Sequence, residues 1–155
     1  MSEMHCCYLK TPAGYLRIRA DETAVCEVSF QEKPGISDPV LTPLLKKARQ
    51  ELTEYFAGTR QRFDLPLCPS GTAFQHRIWQ VLQTIPYGTT ISYQQEAEAA
   101  GSPHACRAAG GANGANPIVI LIPCHRVIRA DGSLGGYSAG LQRKAFLLQL
   151  EQGRR

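Results

Sequence analysis

A short apolar segment enclosed by two prolines constrains this chain more than any other feature. Ile118 to Ile122 are consecutive apolar residues between Pro117 and Pro123. The run is too short for a typical helix and rich in β-branched side chains, which predicts a buried extended segment. Pro123 fixes its own φ and pushes the preceding residue into the extended region, so the backbone that enters Cys124 should be stiff.

A cysteine, a histidine and an arginine follow that segment directly, as Cys124, His125 and Arg126. A thiol held on a fixed backbone beside a base and a cation is the arrangement that prepares a nucleophile. A cysteine after a hydrophobic run is, however, also commonly a small buried apolar residue. Spacing alone supports the two interpretations about equally, and the surrounding motifs have to decide between them.

Further motifs accompany the stretch Pro123 to Val127, at residues 91–94, 107–112, 116–117, 135–138 and 147–151. In content, order and spacing they resemble the O6-alkylguanine-DNA alkyltransferases, also called methylated-DNA–protein-cysteine methyltransferases. The stretch that contains Cys124 is similar to the active-site motif of that family. The similarity covers residues 72–155 almost without gaps and is weak over the first seventy residues.

The pattern of the first seventy residues predicts a small α/β domain. Two alternating segments flank a turn at Thr11–Gly14, and a third strand runs from Val25 to Phe30. Thr42 and Pro43 then provide the N-cap and first position of a helix. A proline-interrupted linker at Leu65–Ser70 marks the boundary, so we expect a supporting domain over residues 1–70, which the resemblance implies is ribonuclease H-like.

Residues 71–155 predict a mainly α domain. Helices are expected at Thr72–Ile85, at Ser92–Gly101, from Pro103 onward, and at Leu141–Leu150. The second and third of these, joined by a short glycine-containing turn, have the outline of a helix-turn-helix. The resemblance implies that this second domain is winged-helix-like. A basic tail follows at Arg154 and Arg155.

The second helix of the helix-turn-helix outline is almost bare. Apart from Arg107 its side chains are small: Ala105, Ala108, Ala109, Gly110, Gly111 and Ala112. A helix that reads the major groove would present long polar side chains to the base edges. This one has a smooth surface that could enter a narrow groove with a single long cation, although small residues also allow ordinary close packing of two helices.

The net charge of +4 is unevenly distributed. Residues 1–70 hold nine Lys and Arg against nine Asp and Glu, whereas residues 71–155 hold eight against four. The half that contains Cys124 therefore carries the whole excess, which suits a polyanion such as double-stranded DNA. No apolar run has the length of a membrane span, so we expect an intracellular protein without a membrane partner, cytoplasmic and nucleoid-associated in a prokaryote or nuclear in a eukaryote. We also expect a monomer.

The six cysteines show no repeating interval and no C-x-x-C pair. This spacing does not favour a disulfide framework, a zinc ribbon or a thioredoxin-like site. Some members of the resembled family bind a structural zinc through the N-terminal region, and Cys6 or Cys7 with Cys26 and Cys68 could imitate that. Buried or tolerated thiols explain these residues more simply, so the expected metal content is none.

The order of Cys124 and His125 limits how they can cooperate. Neighbouring side chains diverge in either strand or helix, so a direct thiol–imidazole bond is awkward. We expect a water between them, with His125 as the base and Glu151 as the carboxylate that orients it, because the terminal helix must pack back on the core. The resemblance implies the same relay. Arg126 is expected to be a structural ion-pair partner.

The resemblance implies roles for further residues. Arg107 would enter the minor groove and fill the gap left by a flipped nucleotide, because the reactive oxygen is inaccessible inside the base stack. Tyr93 would donate a hydrogen bond to the departing guanine. The expected DNA contacts are Tyr93, Ala105, Arg107, Ala108 and Gly110. The expected pocket residues are Asn113, Val127, Tyr137 and Ser138, with Asn116 as a structural hinge.

The predicted function is irreversible, single-turnover transfer of an alkyl group from O6-alkylguanine, or also O4-alkylthymine, in duplex DNA to Cys124, without a cofactor. The alternative is a non-catalytic alkyltransferase-like protein that only binds damage, but such proteins replace the reactive cysteine. A thiol hydrolase is a third possibility without a motif of its own. As departures from the family pattern, Glu96 and Glu98 should place negative charge near the DNA face, and Ala139 should stiffen the pocket loop.

Overall fold

The computed structural model describes residues 3–153, which divide into two compact units. The first unit runs to Ser70 and also includes Pro117–Val119, and the second holds Gly71–Asn116 and continues from Ile120. The sequence prediction placed a boundary between residues 70 and 71 and did not foresee the grouping of Pro117–Val119 with the first unit. The predicted basic tail lies outside the described residues.

The first unit is a three-stranded antiparallel sheet with one helix packed against it. Strands β1, β2 and β3 are His5–Thr11, Gly14–Ala20 and Val25–Gln31, and helix α1 is Pro43–Phe56. Alternation along β2 places Leu16 and Ile18 on the buried face. Helix α1 begins where the Thr42 hydroxyl accepts a hydrogen bond from the Leu45 N–H (3.2 Å). The predicted hairpin, third strand and helix are therefore confirmed.

The second unit is mainly helical. Helices α2 to α5 are Ala73–Leu82, Tyr93–Ala99, Cys106–Gly114 and Leu141–Glu151, and two short strands, β4 and β5, are Ile91–Ser92 and Val127–Ile128. Thr72 and Ser92 begin α2 and α3 with reciprocal capping boxes. Gly101 follows α3 with φ of 78°, the left-handed conformation that glycine adopts readily. Helices α3 and α4 pack together as the predicted helix-turn-helix.

Two predicted helix boundaries are wrong. Helix α2, expected to reach Ile85, ends at Leu82, because the Thr84 N–H and hydroxyl both bond to the Val81 carbonyl and tighten the chain into a turn. Helix α4, expected to begin at Pro103, begins three residues later. Its N-cap residue, Ala105, offers no side-chain cap and lies in a turn, with its own N–H bonded to the Ser102 carbonyl (2.9 Å).

The apolar segment between the prolines is buried throughout but not extended throughout. It forms an isolated parallel bridge with β3 at Ile118, and then Ile120 takes φ of 74°. This conformation is strained for a β-branched residue, at a cost of about 1–3 kcal/mol. The surrounding structure imposes it, since the segment's side chains are buried and the Asn116 amide donates to the Ile122 carbonyl (2.7 Å). The prediction of one extended strand is therefore wrong at Ile120.

The parallel pairing of β4 with β5 brings together two parts of the chain that carry functional candidates. Ile91 pairs with Val127 and Ser92 pairs with Ile128. The first residue of α3, Tyr93, is thereby held close to the 3-10 turn formed by Cys124–Arg126, which immediately precedes β5. Between residues 3 and 153 there is no helix whose length and apolar character would allow it to span a bilayer.

Candidate active site

The Cys124 thiol is buried at the start of the 3-10 turn, with 3% of the residue exposed. Its Sγ accepts a hydrogen bond from the Asn116 amide (3.3 Å), and the same amide holds the Ile122 carbonyl. Burial raises the pKa of Cys124 to about 11, although the Asn116 hydrogen bond and the charge of Lys144 oppose that shift. The thiol is therefore protonated at rest and needs a base before it can act as a nucleophile.

His125 is fully buried and bonded to Glu151, with 2.6 Å between Nε2 and Oε2. Burial lowers the pKa of His125, which favours the neutral imidazole. Because the carboxylate can only accept, the neutral ring carries its proton on Nε2 and leaves a lone pair on Nδ1. Nδ1 is buried and has no partner among the described residues. The pairing of His125 with Glu151 expected from the sequence is present, and Nδ1 is the basic atom.

Arg126 holds Glu151 in its charged form. The guanidinium donates to both carboxylate oxygens, from Nε to Oε1 at 2.8 Å and from Nη2 to Oε2 at 3.1 Å, and its Nη1 donates to the Ile85 carbonyl at 2.7 Å. Burial would raise the pKa of Glu151, but the hydrogen bonds from His125 and Arg126 outweigh it and leave the pKa at about 2. Arg126 is thus the structural ion-pair partner that the sequence predicted.

A cavity of about 330 Å³ lies beside the Cys124 thiol. Its walls come from α3, α4, the 3-10 turn and the loop before α5. Six of the lining residues are sequence candidates, namely Tyr93, Gly110, Asn113, Cys124, Tyr137 and Ser138. Five others were missed: Cys106, Gly114, Arg129, Gly135 and Gly136. The structure therefore assembles most of the predicted pocket around one cavity next to the thiol.

Val127 differs from the other pocket candidates. It is fully buried and is not among the residues that line the cavity. Its carbonyl accepts from Lys144 Nζ at 2.7 Å. The Cys124 carbonyl likewise accepts from the Val127 N–H. Only the second lone pair of each oxygen remains for a ligand.

Tyr93 and Gly135 are in close contact at the cavity. A Cβ atom on Gly135 would lie 2.6 Å from the Tyr93 hydroxyl oxygen, and Gly135 also has φ of 72°. Only glycine satisfies both conditions without displacing the ring. Burial raises the pKa of Tyr93, which a hydrogen bond from the Gly136 N–H partly opposes. The Tyr93 hydroxyl therefore accepts from the loop and stays protonated at neutral pH.

Lys144 is a functional candidate that the sequence analysis missed. It is fully buried in α5, and Nζ donates to the carbonyls of Val127 (2.7 Å), Leu134 (2.5 Å) and Gly136 (3.0 Å). It thereby ties the pocket loop to β5. Burial lowers the pKa of Lys144 to about 8. The sequence contained no sign of this role, because a lysine beside Arg143 in an amphipathic helix is typical of a solvated face.

The exposed side of α4 has the smooth character expected from its sequence. Arg107, Ala108 and Gly111 are exposed, and Ala105 is half-buried. The opposite side packs inward, where the Ala112 carbonyl accepts from Trp79 Nε1 (2.9 Å). Arg107 therefore projects as a long cation from a surface of small residues.

The expectation that Glu96 places negative charge near a DNA face is wrong. Glu96 is fully buried, whereas Glu98 on the same helix is exposed. Glu96 Oε1 accepts from the Asn113 amide nitrogen (2.9 Å), so the carboxyl points into the packing between α3 and α4. Sequence periodicity alone could not assign the face of a helix only seven residues long.

The six cysteines are all free. Among residues 3–153, His, Cys, Asp and Glu side chains do not gather in groups of three or more that could hold a metal ion. Cys7 is buried, Cys6 and Cys26 are half-buried and Cys68 is exposed. Burial raises the pKa of Cys7 to about 11, so this thiol is protonated at neutral pH.

Two family descriptions match almost the whole chain. Residues 4–69 match the 6-O-methylguanine DNA methyltransferase, ribonuclease-like domain, and residues 73–153 match the 6-O-methylguanine DNA methyltransferase, DNA binding domain. The chain therefore belongs to the 6-O-methylguanine DNA methyltransferase family, in which a small sheet domain precedes a helical domain.

Relatives from bacteria and archaea agree with this assignment. A constitutive methylated-DNA–protein-cysteine methyltransferase of Bacillus subtilis is 43% identical over 92% of each chain. A methylated-DNA–protein-cysteine methyltransferase of Methanosarcina acetivorans is 41% identical over 96% of this chain and 98% of its own. The crystal structure of the O6-methylguanine methyltransferase of Mycobacterium tuberculosis is 40% identical, with a TM-score of 0.88 over 99% of this chain and 95% of its own. A structure of that mycobacterial protein in complex with DNA has a TM-score of 0.87 at 42% identity over 97% of this chain and 94% of its own.

Proposed function

We propose that this protein repairs alkylated DNA by direct reversal, transferring the alkyl group of O6-alkylguanine irreversibly to Cys124. The observation that carries the proposal is a buried thiol beside a base-sized cavity. The thiol is adjacent in sequence to His125, which is paired with Glu151 and whose Nδ1 has no partner within residues 3–153. Family membership and the DNA complex of a 42% identical relative support duplex DNA as the partner. A protein that acts on genomic DNA works where that DNA is, which is the cytoplasm in a prokaryote and the nucleus in a eukaryote.

The first step generates the nucleophile. The protonated Cys124 thiol passes its proton through a water to His125 Nδ1, and the imidazolium that forms is stabilised by the Glu151 carboxylate, 2.6 Å from Nε2. Arg126 keeps that carboxylate charged. The Asn116 amide, bonded to Sγ at 3.3 Å, and the nearby charge of Lys144 favour the thiolate.

The second step transfers the alkyl group. The thiolate sulfur forms a bond to the alkyl carbon while the carbon–O6 bond breaks, and the electron pair goes to the guanine. The Tyr93 hydroxyl, whose oxygen accepts from the Gly136 N–H, donates to the departing base as its negative charge develops. The Ser138 N–H is offered to the alkylated oxygen, and Tyr137 forms a wall of the pocket. Asn113 also lines this pocket.

The base reaches the cavity by leaving the duplex. An alkylated O6 is inaccessible inside the stack, so the nucleotide has to rotate out. Arg107 enters from the minor groove and occupies the vacated space, while Ala105, Ala108 and Gly110 allow α4 to approach the backbone closely. Asn116, bonded to both the Ile122 carbonyl and Cys124, acts as the hinge between the helix-turn-helix and the thiol.

The product explains why the protein is consumed. A thioether has no good leaving group toward water, so S-alkylcysteine persists and each molecule reacts once. The transfer needs no cofactor, because the alkyl carbon moves directly from oxygen to sulfur. A monomer suffices, since all groups invoked here come from a single chain.

Incubation with a duplex that contains one O6-methylguanine, followed by intact mass analysis, tests the proposal. We expect one methyl adduct per protein, mapped to Cys124 rather than to Cys106, and no adduct in Cys124→Ser. Cys68→Ser, which removes an exposed thiol outside the site, is the matched control and should be alkylated normally. DNA binding without an adduct would indicate a damage-binding protein, and repeated turnover would indicate a hydrolase; either result overturns the proposal.

A further inference from the structure

The hydrogen bonding of Glu96 and Asn113 leaves two buried acceptors without donors among the described residues. Glu96 is fully buried, Asn113 is 9% exposed, and the two share one bond between Oε1 and the amide nitrogen at 2.9 Å. The other oxygen of each group, Glu96 Oε2 and Asn113 Oδ1, is buried and has no partner among the described residues. Buried acceptors without donors are costly, and here both belong to the same bonded pair.

An ionised Glu96 would need a cation or several donors to be buried at this depth. The cation that interacts with it is Lys144. A lysine ammonium has three N–H donors, and Lys144 directs hydrogen bonds to three backbone carbonyls, those of Val127, Leu134 and Gly136. Lys144 acts on Glu96 through the charge of its ammonium group and not through a hydrogen bond. The ammonium therefore does not compensate a charge on Glu96 directly.

A neutral carboxyl changes the number of donors and acceptors in this pair. A protonated carboxyl has one O–H donor in addition to its accepting oxygen, while the asparagine amide has both donors and an acceptor. If Oε2 carries a proton and donates it to Asn113 Oδ1, both orphaned oxygens are satisfied at once. The result is a two-bond ring between a carboxylic acid and an amide, with no buried charge.

We propose that Glu96 is held as a neutral carboxylic acid that closes a two-bond pair with Asn113, and that this pair positions the wall of the cavity that holds the alkylated base. Glu96 lies in α3, three residues after Tyr93, and Asn113 lies in α4 and lines the cavity. The pair thereby joins the two helices of the helix-turn-helix directly beside the cavity. Glu96 is a positioning residue, since it does not line the cavity and acts through Asn113, which does.

The groups that interact with Glu96 fit this assignment. Asn113 from α4 is hydrogen-bonded to it, and Lys144 from α5, Tyr93 from its own helix and the Cys124 thiol from the 3-10 turn interact with its charge. Strands β4 and β5 carry no ionisable side chain, and those of α2 are His76, which packs edge-on against Trp79, and the exposed Arg77. Burial raises the pKa of Glu96 to about 7, against the opposing effects of the Asn113 hydrogen bond and Lys144.

The charge of Glu96 affects how easily the Cys124 thiolate forms. A negative Glu96 would raise the pKa of Cys124 further and oppose formation of the thiolate. A neutral Glu96 removes that opposition. This part of the inference rests on the proposed alkyl transfer, whereas the protonation state of Glu96 does not.

Glu96→Gln tests the inference, because glutamine reproduces both bonds of the neutral acid and cannot ionise. Because the folded pKa of Glu96 is raised, wild-type stability should fall as pH rises from 4.5 through about 7. We expect the difference in melting temperature, Glu96→Gln minus wild type, to increase from pH 4.5 to about pH 7 and to stay constant above that. Glu98→Gln, an exposed change of the same charge on the same helix, should follow the wild-type profile.

Infrared difference spectroscopy detects the protonated carboxyl directly. Wild type at pH 6 should show the C=O stretch of a buried carboxylic acid that is absent from Glu96→Gln and present in Glu98→Gln. Loss of this band at pH 6, or a melting-temperature difference between Glu96→Gln and wild type that does not change with pH, would overturn the assignment of a neutral acid.

The rate of reaction with free O6-benzylguanine tests the link to Cys124. Glu96→Gln should react several-fold faster than wild type at pH 8 and at a similar rate at pH 6. If the ratio of the two rates is the same at pH 6 and pH 8 while the stability and infrared results are as expected, the charge of Glu96 has no effect on the thiol. The neutral pair of Glu96 and Asn113 would then still stand. Absence of reaction in wild type would instead contradict the proposed function while leaving the stability and infrared results unaffected.

Discussion

Glu151 connects the chemistry of the site to the stability of the second unit. Its two carboxylate oxygens accept hydrogen bonds from the His125 ring and from two nitrogens of Arg126, and all three residues are buried. Removing one partner of such a cluster leaves an uncompensated charge in a medium of low dielectric constant. The carboxylate proposed to orient His125 is therefore also expected to stabilise the second unit.

Glu151→Gln should lower the free energy of unfolding by about 3–5 kcal/mol, because Arg126 then keeps its charge without a counter-ion. Chemical denaturation at pH 7 measures the loss. Glu54→Gln, which removes a carboxylate from the more exposed ion pair with Arg60, is the matched control and should have little effect. Equal losses in both variants would contradict the structural role of the Glu151–Arg126 pair.

The acid dependence of stability should change in the same variant. The pKa of Glu151 is lowered from 4.5 to about 2 in the folded protein, so its contribution is complete above pH 4.5 and is lost as pH falls toward 2. The difference in stability between wild type and Glu151→Gln should therefore shrink over that range. A difference that stays constant down to pH 2 would mean that Glu151 is not held ionised.

At the scale of elements, the site depends on the loop before α5, which helices α3 and α5 hold in place. Lys144 of α5 binds the carbonyls of Leu134 and Gly136 in the loop before α5, and Gly135 between them lies against Tyr93 of α3. The helix-turn-helix supplies Arg107 from one face and Asn113 from the other. The pocket and the surface proposed to face DNA therefore share the same pair of helices.

Gly135→Ala should reduce the rate of reaction with free O6-benzylguanine by about 10- to 100-fold, because the added methyl displaces the Tyr93 ring from its position. Gly136→Ala is the neighbouring comparison, with open space at its Cβ and an ordinary φ, and should lose much less. Rates that fall equally in the two variants would contradict the importance of the contact between Gly135 and Tyr93.

Arg107→Ala should slow reaction with O6-methylguanine in duplex DNA at least about tenfold more than reaction with the free base, since only the duplex requires a nucleotide to be unstacked. Arg107→Lys should recover little of the loss because an ammonium cannot stack as a guanidinium does. Arg62→Ala removes an exposed arginine from the first unit and controls for net charge. If Arg107→Ala slows both substrates equally, it has no role in flipping.

For the whole molecule, the uneven charge predicts that electrostatic attraction contributes to DNA binding. The excess of four positive charges lies entirely in residues 71–155. Contacts between cationic side chains and phosphates release counter-ions, so affinity for a duplex depends on salt, whereas reaction with a small neutral base does not.

Raising salt from about 50 mM to 200 mM should weaken binding to an alkylated duplex by about tenfold or more. The rate of reaction with free O6-benzylguanine should change less than about twofold, because screening acts on the polyanion. Fluorescence anisotropy and adduct formation measure the two quantities. Equal sensitivity of both would show that salt perturbs the site itself rather than DNA binding.

Much of the fold was predictable because it depends on local interactions. Thr42, Thr72 and Ser92 cap the helices they precede, and Gly101 ends α3, since caps and glycine turns act within a few residues. Where local patterns compete with tertiary packing, the predictions failed. Ile120 has a positive φ that its β-branched side chain disfavours, and only the burial and hydrogen bonding of the segment impose it.

The sequence by itself determined the chemistry of this protein: a cysteine beside a histidine after a proline-bounded apolar segment, a basic second half, and a bare helix with one arginine. These are properties of residue type and spacing, so they need no knowledge of contacts. Only the tertiary structure decided that Lys144 is buried against three carbonyls and that Glu96 pairs with Asn113 beside the cavity. The reason is physical, since whether a charged side chain faces water or the interior depends on what the other elements place around it.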